Sequence, residues 1–291
     1  MRQTLKRSAH AKINLSLSVG APLESRNMLH PIASWMSTID LCDEITVTRL
    51  DEGDLSRYAI VWHEEALQTT PIDWPITSDL AVRAHRFLEA EVGHTLPVQL
   101  KLEKRIPLGA GLGGGSSDAA AMLQAVAVLF DLDVDLHKIA ASLGSDVTFL
   151  LTGGSSIVGG VGDELSGFDP PDLPIVLVIP PYGCATGEVY DAFDELQQGK
   201  LDLDRVCRGE FFNDLTLAAT EVATCLAKDM ERIETLVKEK VHLSGSGSSM
   251  FVICDTTTHA ETLAQMIQET TGLVAIATHT SIPKKELEIT E

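Results

Sequence analysis

Residues 107–118, Pro107-Leu108-Gly109-Ala110-Gly111-Leu112-Gly113-Gly114-Gly115-Ser116-Ser117-Asp118, crowd glycines at 109, 111, 113, 114 and 115 and run straight into the helix-forming Ala119-Ala120-Ala121-Met122-Leu123. A backbone with this order must turn sharply and then start a helix at once. Glycine alone takes positive φ at no steric cost, and the first-turn N–H groups of a helix have no internal partner, so the junction attracts anions. The expected object is a phosphate cradle, with Ser116 and Ser117 adding hydroxyl contacts to phosphate or to a bound Mg²⁺. A flexible linker is a poorer account, because linkers do not lead directly into an alanine-rich helix.

Other glycine loops fit less well. Gly109, Gly111 and Gly114 also satisfy the dinucleotide pattern G-x-G-x-x-G, but that pattern requires a buried parallel strand before it. Here Val98-Gln99-Leu100-Lys101-Leu102-Glu103-Lys104-Arg105-Ile106 alternates apolar and polar residues, which marks a half-exposed antiparallel strand. No Lys-Ser or Lys-Thr follows the glycines, against a P-loop, and no strand valine follows them, against the glycine loop of protein kinases. A hydride-transferring dehydrogenase therefore stands behind a phosphate-handling enzyme.

Two further segments accompany the cradle. Ala11-Lys12-Ile13-Asn14-Leu15 lies near the N-terminus and Leu243-Ser244-Gly245-Ser246-Gly247-Ser248-Ser249 near the C-terminus. In order and spacing the three stretches closely resemble the motifs of the GHMP kinases, the superfamily of galactokinase, homoserine kinase, mevalonate kinase and phosphomevalonate kinase. The Lys-Ile-Asn-Leu form of the first motif, the triple glycine before Ser116, and Gly144-Ser145-Asp146-Val147 are similar to its diphosphocytidyl-methylerythritol kinase branch. Ser78-Asp79-Leu80 and Asn213-Asp214 also look like family positions. The resemblance spans nearly the whole chain.

It implies an α+β GHMP kinase two-domain fold, with an N-terminal domain like ribosomal protein S5 over residues 1–160 and a C-terminal ferredoxin-like domain over residues 161–291. It implies ATP on Pro107, Leu108, Gly109, Ala110, Gly111, Leu112, Gly113, Gly114, Gly115, Ser116 and Ser117, with Ser117 toward Mg²⁺ and Gly245, Ser246 and Gly247 as a second turn beside the phosphates. Lys12 and Asp146 are the implied catalytic pair. Asn14, His30, Asp146 and Thr186 are the implied contacts to a cytidyl-diphospho sugar alcohol. One position departs from the branch, which carries an aromatic before the histidine to stack on cytosine. In Asn27-Met28-Leu29-His30 that place is Leu29, which leaves apolar contact by the leucine, or Trp35 or Tyr182 stacking from another side.

The chemistry asks little covalent work of a protein. Phosphoryl transfer needs the γ-phosphate held in line with an acceptor oxygen, developing charge neutralised, and the acceptor's proton taken. Asp146 is suited to orient or deprotonate the acceptor hydroxyl, Lys12 to stand as a compact cation between that carboxylate and the phosphoryl group, and Mg²⁺ to bridge phosphate oxygens. Taken singly, Lys12 reads as an exposed strand lysine and Asp146 as the N-cap of a following segment. Three ordered motifs together outweigh those separate accounts. A non-catalytic nucleotide-binding relative, or a sibling kinase with another acceptor, would keep parts of the same pattern.

Composition bounds the partners. The formal net charge of −20 over 291 residues argues against nucleic acid and anionic membranes, which need basic patches. Anionic ATP must then be captured locally, by amides, Lys12 and Mg²⁺. Cysteines 42, 184, 207, 225 and 254 are scattered without a C-x-x-C pair, so neither a disulfide framework nor a zinc site is indicated. No apolar run approaches the ~20 residues of a membrane span, and the basic Met1-Arg2-Gln3-Thr4-Leu5-Lys6-Arg7 lacks an apolar core, so a cytoplasmic monomer or homodimer is expected. Asp131, Asp133 and Asp135 do not form a calcium loop, because Leu136 and Ser142 stand where glycine and glutamate belong; Asp135 is expected to cap the next helix.

Strand alternation is expected at 13–19, 44–50, 98–106 and 157–161, and helices at 80–92 and 117–130. A chain division is expected near 155–165. Beyond it, Pro170-Pro171-Asp172-Leu173-Pro174 introduces a buried strand at 175–179, followed by helices at 186–197 and 215–227, a strand at 250–253 and a helix at 260–269. This order suits helices layered on an antiparallel sheet. The Pro283-Lys284-Lys285-Glu286 tail is expected to be loose.

Overall fold

The computed structural model describes residues 2–26, 28–168, 172–196, 199–280 and 288–290. Asn27, Pro170, Pro171, Gln197 and the Pro283–Glu286 tail lie outside them. The first part of the chain runs β1 (Thr4–Val19), β2 (Ile32–Arg49), β3 (Arg57–Trp62), α1 (Leu80–Val92), β4 (Val98–Lys104), α2 (Gly114–Leu129), α3 (Leu136–Leu143), α4 (Ser145–Thr152), β5 (Ser155–Gly159) and β6 (Glu164–Gly167). The rest runs β7 (Pro174–Ile179), α5 (Thr186–Glu195), α6 (Leu203–Cys207), β8 (Phe212–Asn213), α7 (Thr216–Val222), α8 (Thr224–Val237), β9 (Val241–Leu243), β10 (Met250–Ile253), α9 (Thr257–Thr271), β11 (Val274–His279) and β12 (Glu288–Thr290).

Among the described residues the strands form two sheets, making an α+β architecture. The larger has the order β12-β1-β2-β4-β3, with β5 on β2, β6 on β5 and β8 on β1; the smaller, antiparallel throughout, has the order β11-β7-β10-β9. Helix α1 matches the expected 80–92 because both ends are written locally: the Asp79 carboxylate accepts from Ala81 N and Val82 N, and Gly93 closes the helix in the left-handed region. Asp135 caps α3 in the same way through His137 N and Lys138 N.

Three expectations need correction. Strand β4 alternates buried and exposed as expected and pairs antiparallel with β2, but it also pairs parallel with β3, to which α1 connects it. Strands β1 and β2 are far longer than 13–19 and 44–50. From Ala9 onward β1 is buried almost continuously, with Ser16 and Ser18 enclosed, so apolar alternation is lost there. The helix expected at 215–227 is two, broken at Ala223, whose φ of −117° and ψ of 86° are not helical.

The small sheet lies between two cores. Val176 and Val178 of β7 pack with α5, α7, α8 and α9, while Ile175, Leu177 and Ile179 pack against Ala11, Ile13 and Leu15 of β1. Both faces are covered, which is why this antiparallel strand reads as an unbroken apolar run. Trp35 belongs to the core between the sheets, stacked 5.5 Å from Phe211 and edge-on to Phe168, and so offers no face to a ligand. No helix among the described residues is long and apolar enough to cross a membrane.

His242, on β9, is stacked 5.2 Å from Phe251 and lies edge-on to Phe211. Burial, with Lys240 acting in the same direction, pushes its pKa from 6.5 down to about 4. The folded state therefore takes up this proton at lower pH than the unfolded chain, so stability present above pH 6.5 is lost as pH falls toward 4. Discounted for partial exposure, the loss is on the order of 2 kcal/mol. Urea titrations at about pH 7.5 and about pH 4.5 should show a shallower pH dependence for His242→Gln than for the parent protein; equal slopes would exclude His242 as a source.

Candidate active site

A glycine-lined cleft lies where the glycine run predicts a phosphate cradle. Residues 106–116 together with Leu80 line a cleft of about 260 Å³. Gly109, Gly111 and Gly113 take φ of +68°, +76° and +69°, the left-handed turns that only glycine makes without strain. Helix α2 starts at Gly114 with Gly113 as its N-cap and no side-chain capping bond, so its first-turn amides are left for a ligand. The two serines part company. Ser116 lines the cleft, but Ser117 is buried and its hydroxyl donates to His10 O at 2.7 Å. Adjacent helical residues point about 100° apart, which turns Ser117 back toward β1 and away from the place expected for Mg²⁺.

The first and third motifs converge on this loop. Lys12 N donates to Leu112 O at 2.9 Å and Ser249 N to Ala110 O at 3.2 Å. The loop and the turn at Gly245, Ser246 and Gly247 touch backbone to backbone: a Cβ on Gly111 would fall 2.8 Å from Gly247 O. Asn213, just after β1's neighbour β8 begins, donates both amide hydrogens to the third motif, to Leu243 O at 2.9 Å and Gly245 O at 2.7 Å. Thr186, at the start of α5, reaches the same turn through Ser246, hydroxyl to hydroxyl at 3.0 Å.

Lys12 is a buried lysine, 5 % exposed, and not the exposed strand residue it could have been. Register irregularities in β1 between His10 and Lys12 and between Asn14 and Ser16 flank this pair, the kind of bulge that re-aims side chains. The ammonium donates to Asn14 Oδ1 at 2.8 Å and stands 3.5 Å from Asp146 Oδ2. Asn14 is itself held, its side chain donating to Ser34 Oγ at 2.8 Å and its backbone N–H to Ser244 Oγ at 3.2 Å. Asp146 is the second residue of α4, whose N-cap is Gly144, so its carboxylate is not spent on capping. It lies in a helix first turn, where negative charge is favoured.

His30 lies apart from the lining of that cleft, against α5. Its Nδ1 lies 2.9 Å from Gly20 O, its Nε2 3.5 Å from Asp194 Oδ2, and its ring 4.9 Å from Tyr190. Burial, with the charge of Asp146 acting in the same direction, pushes the Tyr190 hydroxyl up to about 12. Leu29 is 53 % exposed, its backbone fixed by a bridge to Leu23. Tyr182 lies elsewhere, its hydroxyl donating to Asp229 Oδ2 at 2.6 Å. The nearer of two aromatic residues beside His30 is thus Tyr190, with Phe193 edge-on at 6.1 Å; the sequence did not single Tyr190 out, because in α5 it stands next to the buried Val189 and reads as ordinary helix packing.

Residues 79–154 match the model of the GHMP kinases N terminal domain. The chain is 34 % identical to the 4-diphosphocytidyl-2-C-methyl-D-erythritol kinase of Desulfitobacterium hafniense, over 92 % of this chain and 93 % of that one. Against the enzyme of the same name from Pseudarthrobacter chlorophenolicus the identity is 31 %, over 97 % and 94 %. The chain belongs to the 4-diphosphocytidyl-2-C-methyl-D-erythritol kinase family. A crystal structure of 4-(cytidine 5'-diphospho)-2C-methyl-D-erythritol kinase superimposes with a TM-score of 0.77 at 31 % identity, covering 95 % of this chain and 99 % of that one. Homoserine kinase from Cytophaga hutchinsonii shares the fold, with a TM-score of 0.66 at 14 % identity over 99 % and 97 %. Within the 4-diphosphocytidyl-2-C-methyl-D-erythritol kinase family, then, this chain combines the cradle, Lys12 and Asp146 with a leucine at position 29.

Proposed function

We propose that the protein transfers the γ-phosphoryl group of ATP to the 2-hydroxyl of 4-diphosphocytidyl-2-C-methyl-D-erythritol, a step in non-mevalonate isoprenoid precursor synthesis. The observation that carries this is the Lys12–Asp146 pair, 3.5 Å apart, in a chain whose family kinases carry that substrate in their name. The acceptor hydroxyl lies against Asp146, which orients or deprotonates it as the new O–P bond forms and the bond between the γ-phosphorus and the leaving ADP oxygen breaks. Lys12, fixed by Asn14, neutralises charge building on the transferring phosphoryl oxygens. The uncapped first turn of α2 and the glycine-loop amides hold the remaining phosphates.

Mg²⁺, when bound with the nucleotide, would supply charge neutralisation at the phosphates. Ser116 is the hydroxyl on the cleft that would face such an ion. Tyr190, oriented by His30, offers a ring to the cytosine, and Thr186, one turn earlier on the same helix, stands beside Ser246. The enzyme is taken to act in the cytoplasm as a monomer or homodimer, with the nucleotide on residues 1–160 and the third motif supplied by residues 161–291.

ADP release with Mg-ATP tests the assignment when the cytidyl compound is compared with homoserine, galactose and mevalonate. Turnover with the cytidyl compound alone is the expected result. Turnover with another acceptor would move the protein to a sibling kinase, and ATP binding without turnover on any of them would make it a non-catalytic relative.

A further inference from the structure

Beneath the cradle lies an ionic cluster that the phosphoryl transfer itself does not use. Lys104, the last residue of β4, is 2 % exposed, and its ammonium sits 2.5 Å from Asp43 Oδ2 on β2 and 2.5 Å from Asp118 Oδ2 on α2. Asp43 is fully buried, and its other oxygen, Oδ1, accepts from Arg105 N at 2.5 Å and Ile106 N at 2.7 Å. Those two amides follow the last residue of β4 and open the glycine loop.

The cluster therefore joins both ends of the cradle, its entry at Arg105–Ile106 and its exit in the first turns of α2. The ends are close: a Cβ on Gly114 would fall 3.0 Å from Ile106 Cγ2 and 3.8 Å from Asp43 Oδ2. Burying three ionisable groups costs several kcal/mol per ion, and apolar residues of similar volume would serve the core as well or better. Two carboxylates also exceed the one ammonium. Asp118 Oδ1 has no hydrogen-bond partner, and burial holds the Asp118 carboxyl well above its usual range in spite of Lys104. Of the two carboxylates on Lys104, only Asp43 also caps the loop amides.

We propose that Asp43 is a positioning residue for nucleotide binding: locked by Lys104 and backed by Asp118, it fixes the Arg105–Ile106 backbone and so aims the glycine-loop amides at the phosphates. This rests on the loop being the ATP site. Asp43→Asn keeps the side-chain shape but places an amide where Lys104 needs an acceptor. Loss of a charged hydrogen bond should raise the dissociation constant and KM for Mg-ATP about tenfold or more, with KM for the cytidyl acceptor within about twofold of the parent. Asp118→Asn, which keeps an acceptor for Lys104, should stay within about threefold in both.

Unchanged Mg-ATP affinity in Asp43→Asn, or equal losses for both substrates, would overturn the proposal. No Mg-ATP binding by the unmodified protein would remove the proposed function, and this inference with it. Should Asp43→Asn not fold, amide hydrogen exchange on the unmodified protein decides: protection of the Arg105 and Ile106 amides without nucleotide is expected, and exchange as fast as in an open turn would refute the cap.

Discussion

Asp146→Ala is expected to lower turnover by ~10²-fold or more while leaving Mg-ATP affinity nearly unchanged. The separation follows from where the parts are held. The proposed nucleotide contacts come from the glycine loop and the start of α2, whereas Asp146 stands on α4, with its side chain 30 % exposed and within reach of a ligand. Lys12 does not collapse when the carboxylate is removed, because Asn14 Oδ1 accepts from it at 2.8 Å and Ser34 holds Asn14. Stability should change little, since a part-exposed ion pair contributes at most about 1 kcal/mol. Asp146→Asn divides the two roles open to the carboxylate. An amide still orients a hydroxyl but cannot take its proton, so loss equal to that of alanine assigns proton removal, and a much smaller loss assigns orientation. Turnover close to that of the parent protein in Asp146→Ala would take the residue out of the mechanism.

What could be read from the chain depended on whether the relevant partner was local. Helix α1 was legible because Asp79 and Gly93 mark its ends, and the cradle because glycine spacing is itself backbone geometry. The outer parts of β1 and β2 were not. Lys6 and Arg7 disguise the start of β1, and Ser34, Ser37 and Thr38 are buried in β2 through hydrogen bonds that hydropathy does not register. In the site, Lys12 and Asp146 stand 3.5 Å apart, a proximity that the family resemblance implied and that neither residue's own surroundings in the sequence announce. Ser117 was misplaced because a run of two serines does not say which one the helix turns inward. Tyr190 and Asp43 act through partners distant in sequence, and no local pattern announces such a pairing.

Gly113→Val is expected to abolish measurable nucleotide binding, and the structure changes the reason. The sequence alone suggests that a branched side chain would occupy the space of a phosphate. In the folded protein a Cβ at Gly113 would lie 2.9 Å from Lys12 Cγ and 3.2 Å from Lys12 Cε, so the side chain strikes the stem of the catalytic lysine. The residue also takes φ of +69°, where a β-branched side chain is strongly strained. Together these effects should cost roughly 2–4 kcal/mol locally, enough to unseat the N-cap of α2 and displace Lys12 from Asn14. Calorimetric titration with Mg-ATP should therefore show no heat of binding, and single-turnover phosphoryl transfer should be lost with it. Gly115→Ala is the control. Its Cβ meets no protein atom within 4 Å, and alanine in the first turn of a helix is favoured over glycine by up to about 1 kcal/mol. That variant should be at least as stable as the parent, so any loss of affinity in it reports crowding of the phosphates themselves. Unchanged Mg-ATP affinity in Gly113→Val would mean that nucleotide does not bind on this loop.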